Sequence, residues 1–355
     1  MDDFTIGQQL QVTLLGQSHG PAVGCVVTGY PAGKKIDLDR VSAFMARRAP
    51  GQNAWSTPRK ESDRAEIVSG LDGAGLTCGA PITALIRNEN TRSADYDALG
   101  HIPRPGHADY AAFLKYGDHW DRRGGGAFSA RLTAPLCFAG ALALQLLEEQ
   151  GVRIGAHIAR IGEVEDALPD FLHPALPLYP AGEFPVIDQG QGEKMRQRIE
   201  DARRGQDSVD GAVRCLAAGL PAGLGGPYFG GLEGRLAQAM FAIPAVKGVQ
   251  FGDTQTQGSQ NNDALCLQDG AVCPVTNHAG GILGGISTGW PVYFTLSFKP
   301  TPSIALPQRS VDISARREAS LSVPGRHDPC VVPRAVPVVE AMTALVLCDM
   351  ILQGA

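Results

Sequence analysis

Four of the eight histidines in this chain lie in short segments rich in glycine or proline. They are His19 in Gly16–Gly20, His107 in Arg104–Asp109, His278 in Asn277–Gly281 and His327 in Gly325–Cys330. Glycine lets a backbone approach a ligand closely, and loops carry functional residues more often than the elements they connect. A histidine with a pKa of about 6.5 can give or take a proton near neutral pH. These segments predict an enzyme whose active site is assembled from distant parts of the chain.

Cationic side chains gather in the same loops, although the chain as a whole is acidic, with a net charge of −5. The planar guanidinium of arginine suits carboxylate and phosphate oxygens and keeps its charge when it is desolvated. The set therefore predicts a small polyanionic ligand, while ordinary surface ion pairs remain the alternative for any single arginine. Its members are Arg47, Arg48, Arg59, Lys60, Arg104, Arg122, Arg123, Arg131, Lys299 and Arg326.

Two glycine-rich segments could line a ligand site. Gly124–Gly126 directly precedes a helix predicted to start near Ser129, and N–H groups at a helix N-terminus attract anions. Gly280–Gly285 leads toward Lys299–Ser303, so a flat ring could lie on the glycines while the latter residues hold a phosphate tail. A flexible turn and tight packing are the respective alternatives. Neither segment matches a Walker or dinucleotide motif.

The composition argues against several classes of protein. A pI near 5.9 is unlike that of a general nucleic-acid binder. We identify no apolar run of the ~20 residues that cross a bilayer, and no basic-then-hydrophobic start typical of a signal peptide. The eight cysteines form no Cys-x-x-Cys motif. We therefore expect reduced thiols and a cytoplasmic protein that binds neither nucleic acid nor membrane.

The sequence gives little support for a metal site or for the active site of a serine hydrolase. His107–Asp109 and His327–Asp328 could suggest metal ligands. However, no predicted helix carries two histidines at i and i+4, and no carboxylate cluster completes a site. Gly16–Gly20 matches the Gly-x-Ser-x-Gly pattern, but it falls between two predicted strands, whereas the nucleophile elbow of serine hydrolases joins a strand to a helix. We therefore expect no bound metal.

The hydrophobic pattern predicts the elements that position these loops. Asp37 is a plausible helix cap, a short helix should follow His107, and His19 falls between the first two strands. The segment 163–184, rich in Pro, Ala and acidic residues, is predicted to be an exposed loop. Mixed strands and helices without βαβ alternation favour a single α+β domain over 1–355. The predicted strands are 9–15, 23–28, 65–70, 81–87, 152–161 and 291–298, and the predicted helices are 37–48, 129–150, 193–204, 232–241 and 335–352.

Motifs that run in order along nearly the whole chain resemble those of the chorismate synthase family. They are Gly16–Gly20 with Gly29–Pro31, Arg104–Tyr110, Arg123–Gly126 with Ser129–Arg131, Ile243–Val249, Asn277–Ile286, Lys299–Thr301 and Gly325–Cys330. The resemblance implies a single-domain β-α-β sandwich with long helices packed between antiparallel sheets, and a homotetramer. It also implies an anti-1,4-elimination of phosphate from 5-enolpyruvylshikimate 3-phosphate to give chorismate. That reaction requires reduced FMN without net redox change.

The resemblance assigns roles to individual residues. His107 would be the acid at the departing phosphate, His19 would protonate or stabilise the reduced flavin, and Asp328 would help deprotonate flavin N5, which acts as base toward the C6 hydrogen. Acid–base groups of this kind contribute roughly 10²–10⁴-fold each. The implied substrate-binding residues are Ser18, Arg48, Arg104, Ser129, Arg131 and Arg326. The implied flavin-binding residues are Ala127, Phe128, Ser129, Ala245, Gly284, Lys299, Pro300, Thr301, Pro302, Ser303 and Arg326.

The chain departs from the family pattern at a few positions. Gln17 replaces an acidic residue, Ala127 and Phe128 replace an Arg-Ser pair, and Ala54 and Gln257 replace arginines. These changes leave open a divergent homologue that binds flavin or phosphate without turnover, and a flavin-free phosphatase. Because no reductase domain is recognisable, we expect an external flavin reductase, although use of NADPH by the chain itself stays open.

Overall fold

The computed structural model describes residues 3–51, 61–89, 101–175, 178, 182–323 and 327–354. Two five-stranded antiparallel sheets form its outer layers. The first has the strand order β1-β2-β3-β5-β4, with β1 Thr5–Ile6, β2 Gln11–Gly16, β3 Ala22–Thr28, β4 Ala65–Ser69 and β5 Ile82–Arg87. The second has the order β7-β6-β8-β14-β9, with β6 Arg153–Ile161, β7 Val164–Glu165, β8 Gly211–Ala218, β9 Val246–Phe251 and β14 Val292–Phe298.

The space between the sheets is filled by the two longest helices. The helices of the described residues are α1 Leu38–Arg48, α2 Asp109–Tyr116, α3 Thr133–Glu149, α4 Gln189–Arg204, α5 Leu232–Phe241, α6 Gly258–Asn261 and α7 Val332–Gln353, and the two longest are α3 and α7. Helices α3 and α7 pack against each other, α3 also against the first sheet and α7 against the second. Three hairpins complete the described part of the fold: β10 Leu265–Gln268 with β11 Ala271–Pro274, β12 Ile282–Leu283 with β13 Ile286–Ser287, and β15 Gln308–Asp312 with β16 Arg317–Leu321. This arrangement is the α+β fold with helices between antiparallel sheets that the sequence predicts.

Helices α3 and α7 are apolar on all sides, as expected for helices enclosed in a core. Ala130–Glu149 and Val332–Gln353 are long and apolar enough to cross a membrane, with mean hydropathies of 1.5 and 2.0, but 83% and 89% of their apolar windows are buried. The expectation that no segment reaches this length is therefore wrong. Since both helices are covered by protein, we interpret them as core helices.

Two buried carboxylates of α7 tie this helix to its surroundings. Glu340 accepts hydrogen bonds from Arg47 (2.6 and 3.0 Å) and from the backbone N–H of Ala156 (2.9 Å). Asp349 Oδ1 accepts from three consecutive backbone N–H groups, those of residues 8 to 10, at 2.6–2.9 Å. Each charge is thus paired or hydrogen-bonded, as burial requires. Arg47, a member of the predicted anion-binding set, therefore forms an ion pair with buried Glu340.

The predicted strands are confirmed as β2 to β6 and β14, and the predicted long helices as α1, α3, α4, α5 and α7. Asp37 caps α1, because its side chain accepts from the backbone N–H of Arg40 (3.0 Å). Strand β8 has no predicted counterpart. It packs against α7, while Leu216 belongs to a second apolar cluster with Phe171. A strand buried on both faces lacks the alternation that identifies strands in a sequence.

The described parts of segment 163–184 are mostly exposed or half-buried, but two of its side chains attach it to the second sheet. Asp166 is buried and accepts hydrogen bonds from two backbone N–H groups (2.7 and 2.9 Å), and it lies 2.8 Å from His157 Nδ1. Phe171 stacks on Tyr293, with ring centroids 3.8 Å apart. This carboxylate and this ring hold the segment against the outer face of the second sheet.

The contact between α3 and α7 generates a stability prediction. A Cβ atom on Gly140 would lie 2.3 Å from Cβ and 2.4 Å from Cα of Ala341. We expect Gly140→Ala to lower the free energy of unfolding by about 1–3 kcal/mol, because the helices must separate. Gly234→Ala, at an exposed position of α5 where a Cβ atom would have nothing within 4 Å, should raise it by about 0.5–1 kcal/mol. Urea unfolding measures both, and equal stabilities would show that the helices separate without cost.

Candidate active site

The Gly124–Gly126 turn lies at the centre of the site. Its residues have φ angles of 61°, 82° and 55°, a backbone region that strongly favours glycine. The turn does not form the predicted anion site at a helix N-terminus. An extended Ser129 and a 3₁₀ turn, Ala130–Leu132, separate it from α3, so its N–H groups do not continue the helix.

This turn brings His19 and His107 to one place. A Cβ atom on Gly124 would lie 2.5 Å from His19 Cδ2 and 2.6 Å from Ser18 Oγ, and one on Gly125 would lie 3.3 Å from His107 Nε2. The backbone N–H of Ser18 donates to Gly126 O (3.2 Å), which fixes the His19 loop to the turn. Two of the three residues predicted to be catalytic therefore face the same glycines. His19 lies between β2 and β3, as predicted.

The orientation of His107 is set by its Nδ1 atom. This atom lies 2.6 Å from Asp109 Oδ1 and 3.0 Å from Arg104 Nη2. A carboxylate can only accept and a guanidinium can only donate, so the two contacts require opposite tautomers. The shorter contact to an ionised acceptor is the stronger one. We therefore assign the proton to Nδ1, donated to Asp109, which leaves Nε2 facing Gly125.

Asp109 also binds Arg104. It accepts hydrogen bonds from the backbone N–H (3.0 Å), Nε (2.7 Å) and Nη2 (2.9 Å) of Arg104. Burial opposes ionisation of Asp109, but hydrogen bonds from Arg104 and His107 outweigh it and hold the pKa of this carboxyl well below its usual range. Asp109 is thus a fixed anion between a histidine and an arginine.

The pKa of His107 is lowered from its ordinary value. Burial is the main cause, and the cations Arg104 and Lys299 act in the same direction, while the hydrogen bond to Asp109 opposes them. The imidazole is therefore neutral near pH 7. A phosphate dianion beside Nε2 would add negative charge and raise the pKa again. This arrangement can supply a proton selectively when an anionic ligand is present.

The Lys299–Ser303 segment adjoins His107. Lys299 Nζ donates to Gly106 O, and Arg104 Nη1 donates to Ser303 Oγ (3.2 Å). A Cβ atom on Gly106 would lie 3.6 Å from Pro302 Cβ. The backbone N–H of Lys299 donates to Ala245 O (2.9 Å), which attaches Ala245 to the same segment. Arg104, which the resemblance assigns to the substrate, thus contacts Ser303, which it assigns to the flavin. Pro300 and Thr301, also assigned to the flavin, lie within the same segment.

Two buried hydroxyl groups have no hydrogen-bond partner among the residues that the structure describes. They are Ser18 Oγ, beside Gly124, and Thr301 Oγ1, in the Lys299–Ser303 segment. A buried polar group without a partner is costly, so such groups commonly await a ligand or water. Both residues belong to the predicted site.

Arg48 and Arg131 share one carboxylate. Nη1 of each arginine binds an oxygen of buried Asp63. Burial opposes ionisation of Asp63, but the two arginines lower its pKa below the ordinary value. Glu61 Oε2 lies 4.0 Å from Arg131 Nη2, so two carboxylates balance two guanidiniums. The pair thus forms a buried ion-pair network and does not present two free cations.

Asn88 links this network to the His19 loop. Its Oδ1 accepts from Arg131 Nε (2.8 Å), and its Nδ2 donates to Gln17 O (3.1 Å) and Gly20 O (2.8 Å). Sequence reasoning missed Asp63, Asn88 and the orienting role of Asp109. Asp109 had a visible signal, its place two residues after His107. Asp63 and Asn88 lie outside every motif, so only the folded chain reveals them.

The third predicted catalytic residue, Asp328, binds Arg334 at the start of α7. Arg334 Nη1 donates to Asp328 Oδ2, and Arg334 Nε donates to Arg48 O (3.1 Å), so Asp328 adjoins the arginine network. Ser129 Oγ accepts from the backbone N–H of Arg131 (3.2 Å), which positions this arginine.

The other predicted residues that the structure describes have their own local contacts. Phe128, next to Ala127, is partly exposed and packs edge-on against Trp120, with ring centroids 6.4 Å apart. Gly284 lies in the turn between β12 and β13. The backbone N–H of Leu232, at the start of α5, donates to Gly285 O in this turn (2.9 Å). Arg326 and Ala54 lie outside the described residues.

Two further sequence signals have local structural partners. Arg123 forms hydrogen bonds with Asp121 in its own turn (2.9 and 3.0 Å). The His278 loop is held by Asp263, which accepts from the backbone N–H groups of residues 278 and 279 (2.7 and 2.9 Å). For Arg123 the ordinary surface ion pair is the better interpretation.

Comparison with known proteins identifies what this chain resembles. The chorismate synthase family model matches residues 10–352. The chorismate synthase of Lancefieldella parvula is 44% identical over 97% of this chain and 95% of its own length, and that of Pyrococcus abyssi is 46% identical over 98% and 97%. A crystal structure of a chorismate synthase superimposes with a TM-score of 0.75 at 27% identity, over 98% of this chain and 93% of that chain.

The two neighbours of His107 should move its pKa in opposite directions. Asp109→Asn removes the charge that raises this pKa and lets Arg104 donate to Nδ1, so we expect a lower pKa and a shift toward the Nε2–H tautomer. Lys299→Gln removes a cation that lowers the pKa, so we expect a higher value. Titration of the imidazole ¹⁵N resonances measures both. An unchanged tautomer and pKa in Asp109→Asn would contradict the assignment of the Nδ1 proton to Asp109.

Proposed function

The chain belongs to the chorismate synthase family, and we propose that it eliminates phosphate from 5-enolpyruvylshikimate 3-phosphate to give chorismate. The observation that carries the reaction is the His107–Asp109–Arg104 group, which faces the same glycine turn as His19. An elimination needs a proton or cations at the departing phosphate, and this group offers both. A protein that only bound flavin or phosphate would not need an oriented histidine, which argues against that alternative.

His107 is the proposed acid. Its Nδ1–H is donated to Asp109 (2.6 Å), so Nε2 is the atom that would carry the transferable proton. When the dianionic phosphate binds, it raises the pKa of the imidazole, so that Nε2 becomes protonated. Arg104, which contacts His107 Nδ1, would hold the phosphate oxygens by charge-assisted hydrogen bonds. Electrostatic preorganisation of this kind is a large part of many enzymes' rate enhancement.

The substrate's carboxylates need further cations. We propose Arg48 and Arg131 for this role, with Arg326 and the hydroxyls of Ser18 and Ser129. Asp63 holds both arginines in fixed positions, so they need no reorganisation when an anion arrives. Every guanidinium nitrogen of the two arginines already donates to one partner, because Nη2 of Arg48 binds Ala130 O and Nη2 of Arg131 binds Arg87 O. Any contact to substrate would therefore use the second N–H of an Nη atom.

Reduced FMN is the proposed cofactor, and the described residues suit such a group. Thr301 Oγ1 is a buried hydroxyl without a partner in the described part of the chain, and Lys299 provides a cation for a phosphate tail. Bound reduced FMN would supply an electron-rich ring next to the substrate. His19 would hold a proton beside that ring, and Asp328, positioned by Arg334, would accept one.

The source of the flavin and the assembly complete the proposal. We propose an external flavin reductase, a cytoplasmic location and a homotetramer. Tyr228 and Phe229 are 92% and 102% exposed, and Leu267 is 78% exposed. Large apolar side chains displayed in this way commonly mark protein interfaces, which supports self-association. Sedimentation equilibrium of the purified chain measures the assembly.

The reaction is tested by anaerobic turnover of 5-enolpyruvylshikimate 3-phosphate with photoreduced FMN, followed by chorismate absorbance. We expect product only with reduced flavin. His107→Ala should lower kcat by roughly 10²–10⁴-fold, because the acid is lost. His173→Ala, which removes an exposed histidine in the 163–184 segment, is the matched control and should retain full activity.

Three other outcomes would contradict parts of this proposal. Phosphate release without flavin would indicate a phosphatase. Flavin binding without chorismate formation would leave only the binding homologue. Equal rates for His107→Ala and His173→Ala would remove His107 as the acid.

The glycine turn offers a second test. A Cβ atom on Gly124 meets the His19 ring, whereas one on Gly117 has nothing within 4 Å; the two residues share a φ of about 60°, but ψ is 16° at Gly124 and −132° at Gly117. Backbone strain should cost each alanine variant about 1–3 kcal/mol of stability, and Gly117→Ala at least as much as Gly124→Ala, because Gly117 lies outside the left-handed helical region. We expect Gly124→Ala to lose at least tenfold in kcat while Gly117→Ala stays near wild type. Equal kcat values would show that the position of His19 does not limit turnover.

A further inference from the structure

Hairpin β10–β11 carries two cysteines opposite each other. Its strands are joined by a two-residue turn, Asp269–Gly270, with φ angles of 50° and 80°. Cys266 on β10 is the register partner of Cys273 on β11. Positive φ at both turn residues is typical of a tight type I′ hairpin, which holds its register firmly. The two cysteines are therefore held as direct cross-strand neighbours.

These two thiols differ from most other cysteines in the chain in being accessible. Cys266 is exposed and Cys273 half-buried. Burial raises the pKa to about 12 in each of five other thiols, which makes them poor nucleophiles, namely Cys25, Cys137, Cys215, Cys330 and Cys348. The remaining one, Cys78, is exposed but far along the chain from this hairpin.

The spacing of the strands permits a disulfide with some strain. The residues that flank a two-residue turn form a hydrogen-bonded pair, so the pair two residues further along, Cys266 and Cys273, is hydrogen-bonded too. The bond from Val275 N to Ala264 O (2.8 Å) continues this alternation. Cα atoms of such pairs are about 5.5 Å apart, within the range that disulfides use. Cβ atoms at about 4.5–5.5 Å must approach by roughly 1 Å, and strained, exposed disulfides are readily reduced.

We propose that Cys266 and Cys273 form a reversible dithiol–disulfide site whose oxidant is a small-molecule disulfide such as oxidised glutathione. The Cys266 thiolate attacks the small disulfide, forms a mixed disulfide and expels one thiolate. The Cys273 thiolate then attacks Cys266 Sγ and expels the second. The two cysteines lose two electrons and two protons, and the small disulfide becomes two thiols. The site is independent of the phosphate elimination.

The effect of the bond is local, because the loop that it closes is short and loop-closure entropy grows with loop length. Strand alternation places Leu265, Leu267 and Val272, all exposed, on the opposite face of the hairpin. If that face contacts a second copy of the chain, the thiols stay accessible in the assembly. Oxidation thus stiffens the hairpin that presents this apolar face.

The test incubates the native protein with excess oxidised glutathione, alkylates the remaining thiols and analyses protease fragments by mass spectrometry. In the wild-type protein, neither Cys266 nor Cys273 should be alkylated or carry glutathione. The fragments that contain them should be joined, with a mass two hydrogen atoms lower than that of the reduced fragments. Addition of reduced glutathione should restore alkylation. Cys78→Ser is the control and should behave as wild type. Cys266→Ser and Cys273→Ser should each keep glutathione on the cysteine that remains.

Other outcomes overturn the proposal. Glutathione retained on both Cys266 and Cys273 of wild type would show that the pair cannot close. Full alkylation of both after oxidation would show that they do not react. A linked species of two chains on a non-reducing gel, absent from either serine variant, would assign the cysteines to an intermolecular bond.

Discussion

The contact between α3 and α7 is the constraint on which the rest of the structure depends. Gly140 lets the two helices approach until no Cβ atom would fit against Ala341, and each helix carries one of the sheets. The same contact sets the position of the site. Arg131 immediately precedes α3, and Asp328 and Arg334 lie at the start of α7. The N-terminal ends of the two core helices thus meet the end of α1 at Arg48, and their dipoles add positive potential there.

Buried charges form the second level of organisation. Asp63 holds two arginines and Asp109 holds Arg104 and His107. Isolated buried ions would be very costly, and pairing with several hydrogen bonds offsets much of that cost. The result is a set of cations that cannot turn away from the site. Such fixed charges favour an anionic ligand without reorganisation during the reaction.

Particular residues show how far local pattern predicts this structure. The apolar spacing in 38–48 and 232–241 predicts helices that form nearly at those positions, because the apolar face of a helix arises from residues three or four apart in the sequence. The same reasoning fails from Ser129 to Leu132, where an extended residue and a 3₁₀ turn replace the expected helix start. It also fails at β8, Asp166 and Phe171, because their burial depends on elements far away in the chain.

The sequence by itself determined the family and the class of reaction, and it named most residues of the candidate site. Motifs such as Arg104–Asp109 combine residue type with fixed spacing, and that information is local. Only the tertiary structure decided that Asp109 orients His107 and that Asp63 and Asn88 join the arginines to the His19 loop. It also decided that Arg104 and Ser303 are partners. These contacts link residues distant in sequence, and their distances follow from how the helices and sheets pack.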